Sequence, residues 1–200
     1  GAKSGECDGL LACAPAPPAS LPDPQVWLQP ERFMESADAR LQKQAALLQR
    51  ASPAQTARAI YDWVRQHMHY GGYLAEDLGA LHALETGHGD CTEYADLVVA
   101  LARACGIPAR MAGGYVVNGD ASVRGQDYHN WAELFLDGGW CVVDAQKERW
   151  QPPRSDYLLF RIYRDAVSNA VGRAHLHQRA AGAPRPGTAA GPAPSRRRPA

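Results

Sequence analysis

The stretch Gly89-Asp90-Cys91-Thr92-Glu93-Tyr94-Ala95-Asp96-Leu97-Val98-Val99-Ala100-Leu101-Ala102-Arg103-Ala104-Cys105-Gly106-Ile107-Pro108 decides how this chain folds. Asp90 is a good helix N-cap, and Glu93 three residues on completes a capping-box pattern. Tyr94, Leu97, Val98, Leu101 and Cys105 then recur at helical spacing and predict one apolar stripe. Gly106 stands where a C-terminal cap belongs, and Pro108 stops any continuation. Cys91 therefore falls in the first turn of a helix. A thiol there meets the positive end of the helix dipole and unpaired backbone N–H groups, which favour thiolate and predict a lowered pKa. A lone cysteine is frequently an inert core residue. Its place after Gly-Asp, at a helix start, favours a reactive one.

Upstream the pattern is helical. Pro30 to Ala51 carries charges and leucines at helical spacing. Ser52-Pro53-Ala54-Gln55 offers an N-cap, a proline at the first helical position and a capping-box glutamine, after which Ile60, Tyr61, Val64 and Met68 share one face. A shorter helix is expected over Leu78, Leu81 and Leu84, ending before Gly87. Downstream the pattern turns extended, over Arg110 to Val117, His129 to Leu136 and Trp140 to Ala145. Helices first and strands later predict an α+β fold.

His129 opens one of those strands and Asp144 closes the next. In a hairpin these two ends lie at the same edge, so a carboxylate can bond one imidazole nitrogen and leave the other for a thiol. The register matters. A two-residue turn centred on Gly138-Gly139 would set Asp144 opposite Glu133, about 13 Å along the strand from His129. Pairing requires a turn nearer Leu136-Asp137, or a bulge. Taken alone, His129 also fits a structural histidine and Asp144 a solvated strand-end acid. The backbone N–H of Cys91 is a natural oxyanion donor, and Tyr70-Gly71-Gly72-Tyr73 is a candidate source of the second.

The ends of the chain differ in composition. Residues 1–23 are proline-rich and are expected to form a flexible arm; 24–172 form the domain; 173–200 carry arginines and no acid, and are expected to be disordered. Leu10-Leu11-Ala12-Cys13 resembles a lipoprotein cleavage box, but Lys3 to Gly9 lack the apolar run an inserted signal needs. Cys7 and Cys13 can form a small disulfide loop or stay free, and lipidation of Cys13 stays open. Lys+Arg and Asp+Glu both total 21, so no global field favours nucleic acid, and Arg196-Arg197-Arg198 is more simply a solvated tail. No apolar run approaches the roughly 20 residues that span a bilayer.

Three blocks together carry a resemblance. Gly89 to Ala95 with Leu101 to Arg110 and Gly114-Tyr115, Asp127-Tyr128-His129-Asn130-Trp131-Ala132-Glu133, and Trp140-Cys141-Val142-Val143-Asp144 resemble the core of the bacterial transglutaminase-like superfamily, in its order and approximate spacing. The resemblance implies a papain-like α+β fold in which a cysteine-bearing helix packs on an antiparallel sheet, preceded here by N-terminal helices. It also implies that Cys91, His129 and Asp144 are the catalytic cysteine, histidine and aspartate. The expected chemistry is acyl transfer through a thioester on a peptide or protein substrate, with hydrolysis favoured and amine transfer as the alternative. Neither cofactor nor metal is expected, and the periplasm or cell envelope is favoured over the cytoplasm. Two other classes remain: a non-catalytic module binding peptide or cell-wall material, and a zinc site built from Cys91, His129 and Asp144. His67 and His69 stand two apart and do not share a helical face. His88 is read as solvated, Cys105 as packing and Cys141 as structural, while Trp131 and Trp140 fit core packing better than a cleft wall.

Overall fold

The computed structural model describes residues 23–117 and 122–164. The expectations for the arm before Asp23, for Cys7 and Cys13, and for the tail 173–200 with its arginine run lie outside the described residues. Helix α1 spans Ala39–Leu48, shorter than the periodic stretch from Pro30 to Ala51. Asp38 is the reason. Its backbone is extended and its carboxylate accepts the Arg40 N–H at 2.8 Å, while Glu31 and Met34 bond each other's backbone in a tight turn upstream. Helix α2 spans Pro53–His67, started by Ser52, whose hydroxyl accepts the Gln55 N–H at 3.3 Å. Ile60, Tyr61 and Val64 are buried along it, with Met68 just past its end.

Two short strands follow in parallel, β1 (His69–Tyr70) and β2 (His88–Gly89), with α3 (Gly79–Thr86) between them. Helix α3 forms where the sequence predicts one and ends before Gly87, with Leu78 as its N-cap. Gly79, Ala80 and Ala83 are buried, Leu81 and Leu84 are only partly covered, and Leu78 is 39% exposed. Small residues let α3 approach its neighbour α4 closely, and that contact outranks the leucines' own hydrophobicity.

Helix α4 spans Cys91–Ala104, and every residue from Thr92 to Arg103 is buried. The predicted stripe is therefore one side of a helix enclosed all round. Helices α1, α2 and α3 pack against it, and the sheet covers what they leave. The sheet contains β3 (Ala109–Val116), β4 (Tyr128–Leu136), β5 (Gly139–Asp144), β6 (Arg149–Trp150) and β7 (Tyr157–Tyr163), in the order β6-β5-β4-β3-β7 with antiparallel neighbours. Met111, Ala132, Leu134 and Val143 belong to the core that contains α4, whereas Ala112, Trp131, Val142 and Tyr157 form a second cluster. Strand β7 joins by a bulge at Gly113/Gly114, where a Cβ on Gly114 would lie 1.9 Å from the Leu158 carbonyl oxygen. The chain thus has the α+β fold, with four helices and a five-stranded antiparallel sheet among the described residues.

Candidate active site

Cys91 is the first residue of α4, and its placement starts two residues earlier. Gly89 lies so close to Glu93 that a Cβ would fall 2.4 Å from the Glu93 Cβ, which excludes any side chain. The closeness lets Glu93 accept the Asp90 N–H at 2.9 Å while Asp90 accepts the Thr92 N–H at 2.7 Å, so the expected capping box forms. Asp90 also accepts the Leu74 N–H at 2.9 Å, and Gly71 donates its N–H to the Gly89 carbonyl at 3.1 Å. Residues 70–74 are thereby held beside the residues that introduce Cys91. That same bond occupies the Gly71 N–H, which removes it from the candidates for a second oxyanion donor.

The acidity of Cys91 departs from expectation. Its thiol is pushed up to about 11, chiefly by burial, with the charges of Asp90, Asp144 and Glu93 acting the same way; the backbone N–H of Asn130, which bonds the sulfur, opposes them. A helix N-terminus offers about 1 kcal/mol, less than one pH unit. Burial and three carboxylates outweigh it. Helix position alone therefore leaves Cys91 a thiol at neutral pH, and a thiolate needs a cation beside it.

The hairpin provides the group that can become one. Strands β4 and β5 turn on Asp137 and Gly138, both at positive φ (50° and 84°), with Leu136 paired to Gly139 and Ala132 to Val143. The turn is centred between the two positions considered from sequence. Continuing the series sets Asp144 across from Trp131, diagonal to His129 on one face of the sheet. No bulge is needed, because the diagonal is short enough for a histidine and an aspartate to meet. His129 donates its Nε2–H to Asp144 Oδ2 at 2.8 Å, and both residues are buried. The bond leaves Nδ1 as the other imidazole nitrogen, on the residue next to Asn130, whose N–H meets the Cys91 sulfur.

Asp144 is held from two more directions. Its Oδ1 accepts the Lys147 N–H at 3.0 Å, and its Oδ2 also accepts the Tyr157 hydroxyl at 2.8 Å. Asn130 ties the strand to the helix by donating its Nδ2–H to Thr92 Oγ1 at 2.9 Å. Sequence reasoning overlooked Asn130 and Tyr157. Asn130 stands next to His129 in the quoted block, a signal that was available; Tyr157 comes after a long connection and carries no periodicity that marks it.

Among the other residues considered, His67 bonds the Leu84 carbonyl through Nε2 at 2.9 Å and stacks on Trp63, a packing role. His88 is exposed, with Nδ1 at 2.7 Å from the Thr86 carbonyl oxygen. Cys105 packs on the core and bonds the Ala45 carbonyl, and Cys141 packs partly buried on the same core. Trp131 is core, 1% exposed, whereas Trp140 stacks on Arg110 at 4.0 Å near the sheet's other end. Among the described residues no three His, Cys, Asp or Glu side chains are grouped to hold a metal ion.

The family model of the transglutaminase-like superfamily matches residues 42–145. A candidate cysteine protease from Cytophaga hutchinsonii is similar in structure, with a TM-score of 0.59 and 28% identity over 72% of this chain and 48% of that one. The periplasmic domain of TgpA from Pseudomonas aeruginosa is similar at a TM-score of 0.52 and 25% identity, over 70% of this chain and 54% of that one. The same domain bound to ethylmercury gives 0.51 and 26%, over 67% and 54%. The chain spans about half the length of these structures. No curated protein sequence matches it significantly.

Proposed function

The chain belongs to the transglutaminase-like superfamily, and from that premise we propose that Cys91, His129 and Asp144 form the triad of a thiol enzyme that hydrolyses peptide or isopeptide amides. One observation carries the proposal: the buried His129–Asp144 bond of 2.8 Å lies on the strand that Asn130 ties, at 2.9 Å, to Thr92, the residue after Cys91. The raised pKa of Cys91 gives His129 its task. With Asp144 on Nε2, the imidazole takes the thiol proton on Nδ1, and the resulting imidazolium stabilises the thiolate that burial and carboxylates oppose.

The thiolate attacks the amide carbonyl carbon and forms a C–S bond. The tetrahedral oxyanion is met by the Cys91 backbone N–H. On collapse the C–N bond breaks, its electron pair goes to nitrogen, and the imidazolium proton moves to that nitrogen, leaving a thioester. Neutral His129 then takes a proton from water as its oxygen bonds the thioester carbon. On collapse the C–S bond breaks, its electron pair returns to sulfur, the acid leaves, and the imidazolium proton restores the thiol. A primary amine in place of water makes the same site a transglutaminase. Water is favoured because it is always abundant, whereas transfer needs a cleft that excludes it or binds an amine well. A periplasmic or cell-envelope location is part of the proposal, supported by the likeness to the periplasmic domain of TgpA.

Mass spectrometry of Cys91 after incubation with peptide pools, with and without a primary amine, tests the proposal. A thioester adduct that resolves to acid is expected. An amide product formed only with the amine would establish transfer instead, and no adduct or turnover on any amide would sink the enzyme.

A further inference from the structure

Asp144 Oδ2 receives two donors, His129 Nε2–H and the Tyr157 hydroxyl, each at 2.8 Å, while Oδ1 receives the Lys147 N–H at 3.0 Å. Tyr157 begins β7, twelve residues beyond the end of the family match at 145. Its ring packs edge-on against Trp131 at 4.9 Å between centroids, and Trp131 in turn stacks beside His129 at 6.3 Å. The phenol is thus fixed by packing before it makes its hydrogen bond. Burial first, then the charge of Asp144 and the bond to it, push the phenol far above its ordinary value, so it remains a donor throughout the working pH range.

We propose that Tyr157 is a positioning residue for the triad, holding Asp144 against His129 and sharing the carboxylate's charge so that the imidazolium can release its proton. The inference rests on the triad assigned above. A carboxylate oxygen that bonds imidazolium alone concentrates its charge there and makes the proton harder to remove. A second donor on the same oxygen draws part of that charge away and weakens the hold. The other charged and titratable groups around the pair come from several elements. Cys91, Asp90 and Glu93 stand at the start of α4, Arg149 lies on β6, and Asp156 precedes β7 and pairs with Arg149 at 3.3 Å. The Tyr157 hydroxyl shares Oδ2 with His129, so its removal changes the charge that His129 meets.

The test is the pH profile of Cys91 alkylation by chloroacetate. This anion reacts with thiolate and is drawn by the imidazolium beside it, so the rate forms a bell that falls as the imidazolium loses its proton. His129→Ala is expected to abolish the bell; a wild-type profile without one sinks the triad, and the role of Tyr157 with it. Tyr157→Phe keeps the ring on Trp131 and is expected to move the alkaline limb upward by about half to one pH unit, a three- to tenfold gain in proton affinity. Replacing Tyr157 by 3-fluorotyrosine, a stronger donor of the same shape, is expected to move the limb the other way, and it serves if the phenylalanine variant does not fold. Limbs that superimpose on an intact wild-type bell would overturn the inference while leaving the triad standing. A merely structural tyrosine lowers stability without moving the limb.

Discussion

At Cys91 two rules about cysteine reactivity point in opposite directions, and their magnitudes decide between them. The helix start favours thiolate by about 1 kcal/mol, whereas burial and the nearby carboxylates push the thiol up to about 11. His129→Ala is therefore expected to leave Cys91 unreactive to iodoacetamide at neutral pH, with reaction appearing only as pH approaches that value. A variant alkylated normally near pH 7 would show that the helix alone activates the sulfur. Asp96, one turn further on, is 0% exposed, and neither carboxylate oxygen has a hydrogen-bond partner among the described residues. Burial first, then Glu93, Asp77 and Glu35, raise its pKa well above the ordinary value, with Arg103 opposing. The native state thus keeps a proton that the unfolded chain loses above about pH 4, so Asp96 lowers stability progressively as pH rises from there toward its folded pKa. Asp96→Asn mimics the neutral acid. Urea unfolding is expected to find the variant more stable at pH 7, by about 1–3 kcal/mol, with the gain shrinking as pH falls toward 4.

At the scale of elements, the start of α4 depends on a backbone approach that only glycine permits. Gly89→Ala forces a Cβ to within 2.4 Å of Glu93 Cβ and displaces the carboxylate that accepts the Asp90 and Leu78 N–H groups. A loss of about 1–3 kcal/mol is expected in chemical denaturation, together with slower alkylation of Cys91. The capping box itself was legible in sequence, because Asp90 and Glu93 are local partners three residues apart. So were the N-cap at Ser52 and the stop at Gly106. Less was legible where partners are distant. The buried side of α3 is set by how closely α4 approaches, and no spacing within Leu78 to Leu84 records that. The hairpin register turned on which two of Leu136, Asp137, Gly138 and Gly139 take positive φ. Three of them are plausible turn residues, so the choice required the folded backbone.

At the scale of the molecule, the proposed triad and its support lie on opposite sides of residue 145. Cys91, His129 and Asp144 fall within the family-matched core, but the second donor to Asp144 Oδ2 arrives on β7, which closes one edge of the sheet beside β3. Strand β7 is not legible in sequence, since Tyr157 to Tyr163 lacks alternation and leaves Leu158 and Phe160 exposed at 45% and 69%. Its place is set by Gly113 and Gly114, whose missing side chains admit it. A chain ending after Glu148 loses β6 and β7 and uncovers Trp131 and Ala112. Such a chain is expected to unfold without a sharp transition in urea, monitored by tryptophan fluorescence; a cooperative curve matching the full chain would show that the matched core is sufficient by itself.

Helix α4, enclosed on every side from Thr92 to Arg103, has one more consequence. Its backbone amides have no route to solvent short of dismantling the whole structure, so their deuterium uptake reports the global opening free energy. The proposed nucleophile stands at the end of the segment that is last to breathe. Segments 70–78 and 122–127 are mostly exposed or half-buried. Deuterium should fill those two within seconds to minutes while α4 still holds its protons, and a bound peptide should slow the loops without altering the helix.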